Sequence, residues 1–214
     1  CGTAASTMGR REHLRRIESA ALAGFEAAER RLVLITGQAD LLDSRLSVEQ
    51  AGFLRRVAPA GWVMELSGFP FDACPSPRET APPIVPAMLA NMRQYLWAHF
   101  DADYRARARR LIAVMAAATS RHLVFLTGSC GLAILSCALP ALPAVPAISI
   151  LAFGPAGPMP PACTDFRSVS GRSDVWSRAL HPRMPDRLID CGHMGYWRSA
   201  EAEREARQFL QDIA

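Results

Sequence analysis

His122-Leu123-Val124-Phe125-Leu126 runs directly into Thr127-Gly128-Ser129-Cys130-Gly131, and from there into Leu132-Ala133-Ile134-Leu135. The first five residues have the length and β-branched, aromatic content of a strand. They are apolar on both alternating faces, which predicts a strand buried within a parallel sheet. The small residues that follow predict a tight turn, and the apolar run to about Leu139 predicts a buried helix. No charged residue occurs from Leu123 to Phe153, a stretch long enough to cross a bilayer. Pro140, Pro143 and Pro146 cut it, however, into strand, helix and a second strand at Ala147 to Ala152. A transmembrane segment is therefore rejected in favour of a strand-turn-helix-strand unit inside an α/β core.

The same alternation extends in both directions. Upstream, Leu14, Ile17, Ala21, Leu22 and Phe25 recur at helical spacing and predict a helix over 8–31. Leu32 to Ile35 reads as a short buried strand stopped by Thr36-Gly37. A helix over 47–57, with Ser47 as N-cap, and a strand over Trp62 to Leu66 come next. The segment from Asp72 to Pro86 holds five prolines and reads as an irregular loop or lid. Helices are predicted over 87–100 and 103–119. Downstream, Gly154 to Pro161 reads as a loop, Arg167 to Val169 as a strand, Asp174 to Leu180 as a short helix, and Arg187 to Asp190 as a sixth strand. An amphipathic helix over 200–213 closes the chain. Strands alternating with helices imply a three-layer α/β/α sandwich with a mostly parallel sheet, in one domain spanning 1–214. In such sheets chemistry sits at the carboxyl ends of the strands.

Composition narrows the function classes. All 24 basic residues are arginine, and they are spread from Arg10 to Arg207 rather than gathered in one block, so no nucleic-acid partner is expected. Without lysine no GxxxxGK[ST] phosphate loop exists, and no GxGxxG follows a strand, which disfavours a nucleotide-binding protein. The six cysteines form no CxxC pair and no zinc spacing. Free thiols suit the cytoplasm, although Cys1 followed by Gly2-Thr3-Ala4-Ala5-Ser6 also suits the mature start of a bacterial lipoprotein.

Thr127-Gly128-Ser129-Cys130-Gly131 satisfies the steric demand of a nucleophile elbow, with small residues two before and two after the nucleophile. Ser129 is favoured over Cys130, because a Cys130 nucleophile would put Leu132 where a small residue is needed. The backbone N–H of Cys130, at a helix N-terminus, suits an oxyanion. Downstream, Phe166 to Asp174 gives strand, turn and aspartate, and Leu188-Ile189-Asp190-Cys191-Gly192-His193 gives strand, glycine and histidine. In this order and these contexts, over roughly residues 32–214, the chain resembles the α/β-hydrolase superfamily. The resemblance implies that Ser129 attacks an acyl carbonyl, His193 accepts its proton and Asp174 orients the imidazole. Asp190 is the rival acid, but it sits inside the last strand and close to His193, and Asp165 lies at the wrong end of its strand. His13, His99, His122 and His181 lack the context of His193. The loop after the first strand supplies the second oxyanion donor in the superfamily, and Gln38 in Gly37-Gln38-Ala39 occupies that place.

Two features depart from the superfamily pattern. The two opening antiparallel strands are missing, with the 8–31 helix in their place, and the short interval from Ser129 to Asp174 leaves no room for a large cap. The segment 72–119 is instead placed to cover the site, with Phe69, Phe71, Met88, Met92 and Trp97 as an acyl pocket. The reaction implied is hydrolysis of a carboxylic ester or acyl thioester of a small-molecule or carrier-linked substrate, with no metal or organic cofactor. Transfer to another acceptor uses the same residues. Arg55, Arg56, Arg78 or Arg172 are candidates for an anionic group on that substrate. The alternative is a non-catalytic module of the same fold that binds a ligand or partner in the cleft.

Overall fold

The computed structural model describes residues 2–72, 76–80, 82–139, 146–157, 163–181 and 183–213, with side chains from residue 9 onward. The expectation at Cys1 and parts of the two proline-rich segments lie outside these residues. In chain order the elements are α1 (Gly2–Ala23), β1 (Ala28–Thr36), α2 (Val48–Val57), β2 (Val63–Glu65), α3 (Ile84–Phe100), α4 (Ala102–Ala117), β3 (Thr119–Gly128), α5 (Gly131–Ala138), β4 (Ala147–Phe153), β5 (Asp165–Gly171), α6 (Val175–Leu180), β6 (Arg187–Ile189) and α7 (Ala200–Asp212). The six strands form one sheet in the order β2-β1-β3-β4-β5-β6, and every neighbouring pair is parallel. No antiparallel strand opens the sheet among the described residues.

Alternation along the strands builds two cores. Val33, Ile35, Leu123, Phe125, Ile148 and Ile150 face one side and pack under α1, α4 and α5. Leu32, Leu34, Val124, Leu126, Leu151 and Phe153 face the other, under α2 and α7. The result is a three-layer α/β/α sandwich. From β1 the chain moves outward to β2, and then returns to β3 on the opposite flank of β1 before winding outward again. The order therefore reverses between β1 and β3, and the crevice at their carboxyl ends is the switch point where ligands bind in open parallel sheets.

Two predicted boundaries are corrected. The first helix ends at Ala23 rather than near residue 31, because Gly24 takes the left-handed conformation (φ 73°) and the chain turns out of the helix. Charged Ala28-Glu29-Arg30-Arg31 then extends β1 rather than the helix. Arg31 is tolerated there because its guanidinium, though buried, reaches Glu65, the Glu26 carbonyl and Thr119 Oγ1. Likewise α4 stops at Ala117, and β3 begins at Thr119, earlier than His122.

Helix α3 keeps Ala90, Gln94 and Ala98 inside. On its outer side Ile84, Met88, Met92, Leu96 and Phe100 recur every fourth residue, and all five are exposed. No described residue covers this stripe, which is larger than the scattered apolar residues of an ordinary surface.

The buried side of α1 carries a titratable group. His13 is fully buried among Phe69, Trp97 and Tyr104, and Nδ1–H donates to the Leu41 carbonyl at 3.3 Å. Burial, reinforced by nearby Arg16 and opposed by the Leu41 carbonyl, lowers its pKa from 6.5 to about 4. The unfolded chain therefore takes up this proton first as the pH falls. Stability is full above pH 6.5 and declines between 6.5 and about 4, by up to about 3 kcal/mol from this group. Urea unfolding at pH about 7.5 and about 5 should show about 2 kcal/mol of that loss in the native protein and less in His13→Phe, which keeps an aromatic ring in the cluster. An unchanged pH slope in the variant would remove His13 as its source.

Candidate active site

The turn from β3 into α5 is dictated by contact. A Cβ on Gly131 would lie 2.0 Å from the Ile35 carbonyl oxygen of β1, and one on Gly128 would lie 2.6 Å from the Trp197 ring. Only glycine lets α5 start this close to the neighbouring strand. Between them Ser129 is held at φ 50°, a left-handed conformation that a serine adopts at a cost of about 1 to 3 kcal/mol. Its N–H donates to the Phe153 carbonyl at 3.3 Å, and its carbonyl accepts from Ala156 at 3.1 Å and Leu132 at 3.3 Å. The backbone is thereby fixed by the end of β4, the residues just after it and the first turn of α5, with the side chain at the carboxyl edge of the sheet.

Ser129 Oγ lies 3.1 Å from Nε2 of His193, and Nδ1 of His193 lies 2.9 Å from Oδ2 of Asp174. The three groups come from the ends of β3, β5 and β6, so the sheet sets their spacing. Asp174 is fully buried, whereas the His193 side chain is 24% exposed. Burial alone would raise the Asp174 pKa. Hydrogen bonds from His193, from the Ser177 N–H (3.0 Å) and from the Tyr196 hydroxyl (2.7 Å) outweigh it and bring the carboxyl down to about 2. The carboxylate stays ionised and its donors fix its plane, so the His193 proton is held on Nδ1, leaving Nε2 to accept from Ser129. Cys130, the neighbouring side chain, is a buried thiol. Its thiol pKa is raised by burial, an effect that its contact with the Ser129 hydroxyl only partly offsets.

Two residues that sequence reasoning missed complete this arrangement. Tyr196, in the 3-10 turn Tyr196–Arg198, donates to Asp174 and accepts the Gly171 N–H at 2.7 Å. Burial and the adjacent carboxylate both push the Tyr196 pKa up, so it stays a donor. Gly154, at φ 51°, makes room for both: a Cβ there would lie 2.7 Å from Asp174 Oδ2 and 2.6 Å from the Tyr196 ring. Gly154 could be read only as loop glycine, and Tyr196 carried no spacing signal.

The oxyanion and pocket expectations fare differently. Cys130 caps α5, where helix N–H groups have no intrahelical acceptor. Gln38 does follow β1, but its N–H is engaged: it donates to Gln94 Oε1 at 2.7 Å, and Gln94 Nε2 donates back to Gln38 Oε1 at 2.5 Å. In this structure the N–H of Gln38, expected as the second oxyanion donor, is therefore occupied. Of the expected acyl-pocket residues, Phe69 is fully buried in the core beside His13 and Tyr104. Trp97 stacks on His13 at 5.7 Å, and Met92 points outward at 54% exposure. The described contacts of these three are with the core or with solvent rather than with Ser129, because α3 turns Asn91 and Gln94 toward the β1 loop. The Asn91 side chain packs on Gly37, where a Cβ would meet its Oδ1 at 1.8 Å and Cys130 Cβ at 3.3 Å.

The rival groups lie elsewhere. Asp190 is exposed and its N–H donates to Glu201, and Asp165 opens β5 at the far edge of the sheet. His122 bonds Ser149, His99 its own helix, and His181 the Gly157 carbonyl. Among the described residues no group of three or more His, Cys, Asp or Glu is placed to hold a metal, and no helix is long and apolar enough to cross a membrane.

No family model matches the chain, and no curated protein matches it. Among solved structures, the crystal structure of TT1662 from Thermus thermophilus is similar at 17% identity and a TM-score of 0.49, over 87% of this chain and 90% of that one. A likeness at that level assigns neither family nor chemistry.

The hydroxyl of Tyr196 is expected to hold Asp174 in its ionised form. Because the Asp174 pKa is depressed to about 2, its contribution to stability is full above the ordinary carboxyl range and is lost as the pH falls toward 2. Tyr196→Phe removes one donor and strands the Gly171 N–H, so it should cost about 1 to 3 kcal/mol near neutral pH. It should also move acid unfolding to higher pH. Denaturant titrations across that range check both, and an acid limb identical to the native one would refute the assigned role.

Proposed function

We propose that the chain is a serine hydrolase that cleaves carboxylic esters or acyl thioesters through an acyl-enzyme at Ser129. The observation that carries this reading is the unbroken hydrogen-bonded series from Ser129 Oγ through the His193 ring to the buried Asp174 carboxylate. In the first step His193 Nε2 takes the Ser129 proton as Oγ bonds to the acyl carbon. The imidazolium so formed is stabilised by Asp174 and then gives its proton to the departing alcohol or thiol. Water, activated by the same nitrogen, releases the acid and restores Ser129. The N–H of Cys130 is the oxyanion donor in this reading. The left-handed backbone of Ser129 supports it too, since strain of this kind concentrates at reactive turns.

A second reading, a non-catalytic module that binds a ligand in the same cleft, is favoured by one observation. The amide expected as the second oxyanion donor, that of Gln38, is already bonded to buried Gln94.

A fluorophosphonate probe separates the two. Intact-mass analysis should find one adduct on the native protein and none on Ser129→Ala, and His193→Ala should slow labelling by at least about 100-fold. Native protein that is folded yet unlabelled would favour the binding module.

A further inference from the structure

A small cavity of about 50 Å³ opens beside the switch point, lined by Thr36, Gly37, Gln38, Arg45, Gln50 and Arg78 among others. It shares its wall with the serine turn. Thr36 pairs with Gly128 across β1 and β3, and Gly37 packs against Cys130. Adjacent strands lie about 4.8 Å apart, so the cavity begins within a few bond lengths of the Ser129 turn.

Its polar groups are unequally satisfied. Asp43 and Arg45, both in the wall, neutralise each other through paired contacts of 3.0 and 2.8 Å. Ser44 donates to Asp72, which is itself held by Arg16. That leaves Arg78 as the cation of the lining that makes no direct ion pair among the described residues, although the Asp43 carboxylate lies near enough to feel its charge. Its backbone is pinned by an N–H bond to the Leu46 carbonyl at 2.8 Å, and its Nε is buried with no hydrogen-bond partner among the described residues. Gln38, only 6% exposed, likewise has a buried Nε2 without a partner. Two donors, one of them cationic, thus border one cavity with no hydrogen-bond partner among the described residues. Buried donors are nearly always paired, and the Nε edge of a guanidinium matches the two oxygens of a carboxylate.

We propose that this cavity is a subsite for a carboxylate-sized oxyanion carried by the substrate of Ser129, held by Arg78 with Gln38 Nε2 as second donor. The inference rests on the reading of Ser129 as nucleophile. It makes the substrate an ester or thioester with an acidic group a few bonds from the scissile carbonyl, on either the acyl or the leaving side. Uncharged esters of the same length are then poor substrates.

Two measurements test it independently. In the first, Ser129→Ala protein is titrated calorimetrically with methyl hydrogen glutarate and with dimethyl glutarate. Only the monoanion should bind, and Arg78→Met on the same background should abolish that binding. In the second, kcat/KM is compared for mono-p-nitrophenyl glutarate and adipate against the p-nitrophenyl esters of pentanoic and hexanoic acid, with 4-acetoxybutyrate probing the leaving side. The acidic ester of the matching side should be preferred by about 30-fold, chiefly through KM, and Arg78→Met should erase the preference by bringing the acidic ester to the kcat/KM of the neutral one. Arg78→Lys, which keeps the charge and loses the fork, should retain part of it and serves if the methionine variant fails to fold. Equal turnover of acidic and neutral esters, unchanged by either variant, overturns the subsite while a labelled Ser129 preserves the hydrolase reading. Arg78-dependent binding of the monoanion to protein whose Ser129 takes no probe keeps the subsite and removes the hydrolase reading. No binding and no preference overturns it outright.

Discussion

The first turn of α5 lies so close to β1 that a single methyl group on Gly131 would drive into the Ile35 carbonyl. From this contact the geometry of the carboxyl edge follows. A helix that starts here forces the connecting residue into a left-handed turn, and that residue is Ser129. The cost of that turn is spread over rigid neighbours, since β3 is hydrogen-bonded to β1 on one side and β4 on the other. The same approach brings the β1 loop against Cys130, so that the serine turn, the Gln38 loop and the small cavity share one wall at the reversal of strand order. A looser α5 would separate all three.

Charge is handled at this edge by saturation rather than by exposure. Asp174 has no contact with solvent, and a bare carboxylate there would be costly or would take up a proton. Three donors on three different segments prevent that: the Ser177 N–H at the start of α6, the Tyr196 hydroxyl, and His193. Gly154 is the steric condition for this crowding, and it sits at the end of β4, whose Phe153 carbonyl also anchors Ser129. The acid and the serine are therefore positioned by one and the same strand end, and a shift of β4 would move them together.

Much of this was legible in the sequence, for reasons that differ by element. Leu123 to Leu126 and Leu32 to Ile35 announce buried parallel strands because parallel strands are apolar on both faces. The juxtaposition of Ser129, Asp174 and His193 was readable because each follows a strand, so the topology alone brings them to one edge. The start of β1 was hidden by Arg31, whose burial depends on Glu65, Glu26 and Thr119, partners distant in sequence or set by a turn. The pocket assignment failed for a geometric reason. Composition marks Met92 and Trp97 as apolar, but the rotation of α3 decides which residues face the loop, and it presents the polar Asn91 and Gln94 instead. Tyr196 was invisible because a hydroxyl that bonds a carboxylate leaves no periodic trace.

The rotation of α3 also governs what the Gln38 loop can do. Gln38 and Gln94 form a reciprocal amide pair in a place where Gln94 has no access to water. Releasing the Gln38 N–H to any other acceptor leaves Gln94 Oε1 buried and unpaired, at about 1 to 3 kcal/mol. An oxyanion is a stronger acceptor than an amide oxygen, by roughly twofold in hydrogen-bond strength, so the exchange is close to balanced in energy but requires Gln94 to find a new partner. Asn91, one turn earlier on α3 and against Gly37, constrains the same loop. On the hydrolase reading, then, the second oxyanion donor is gained only when α3 and the β1 loop move relative to each other.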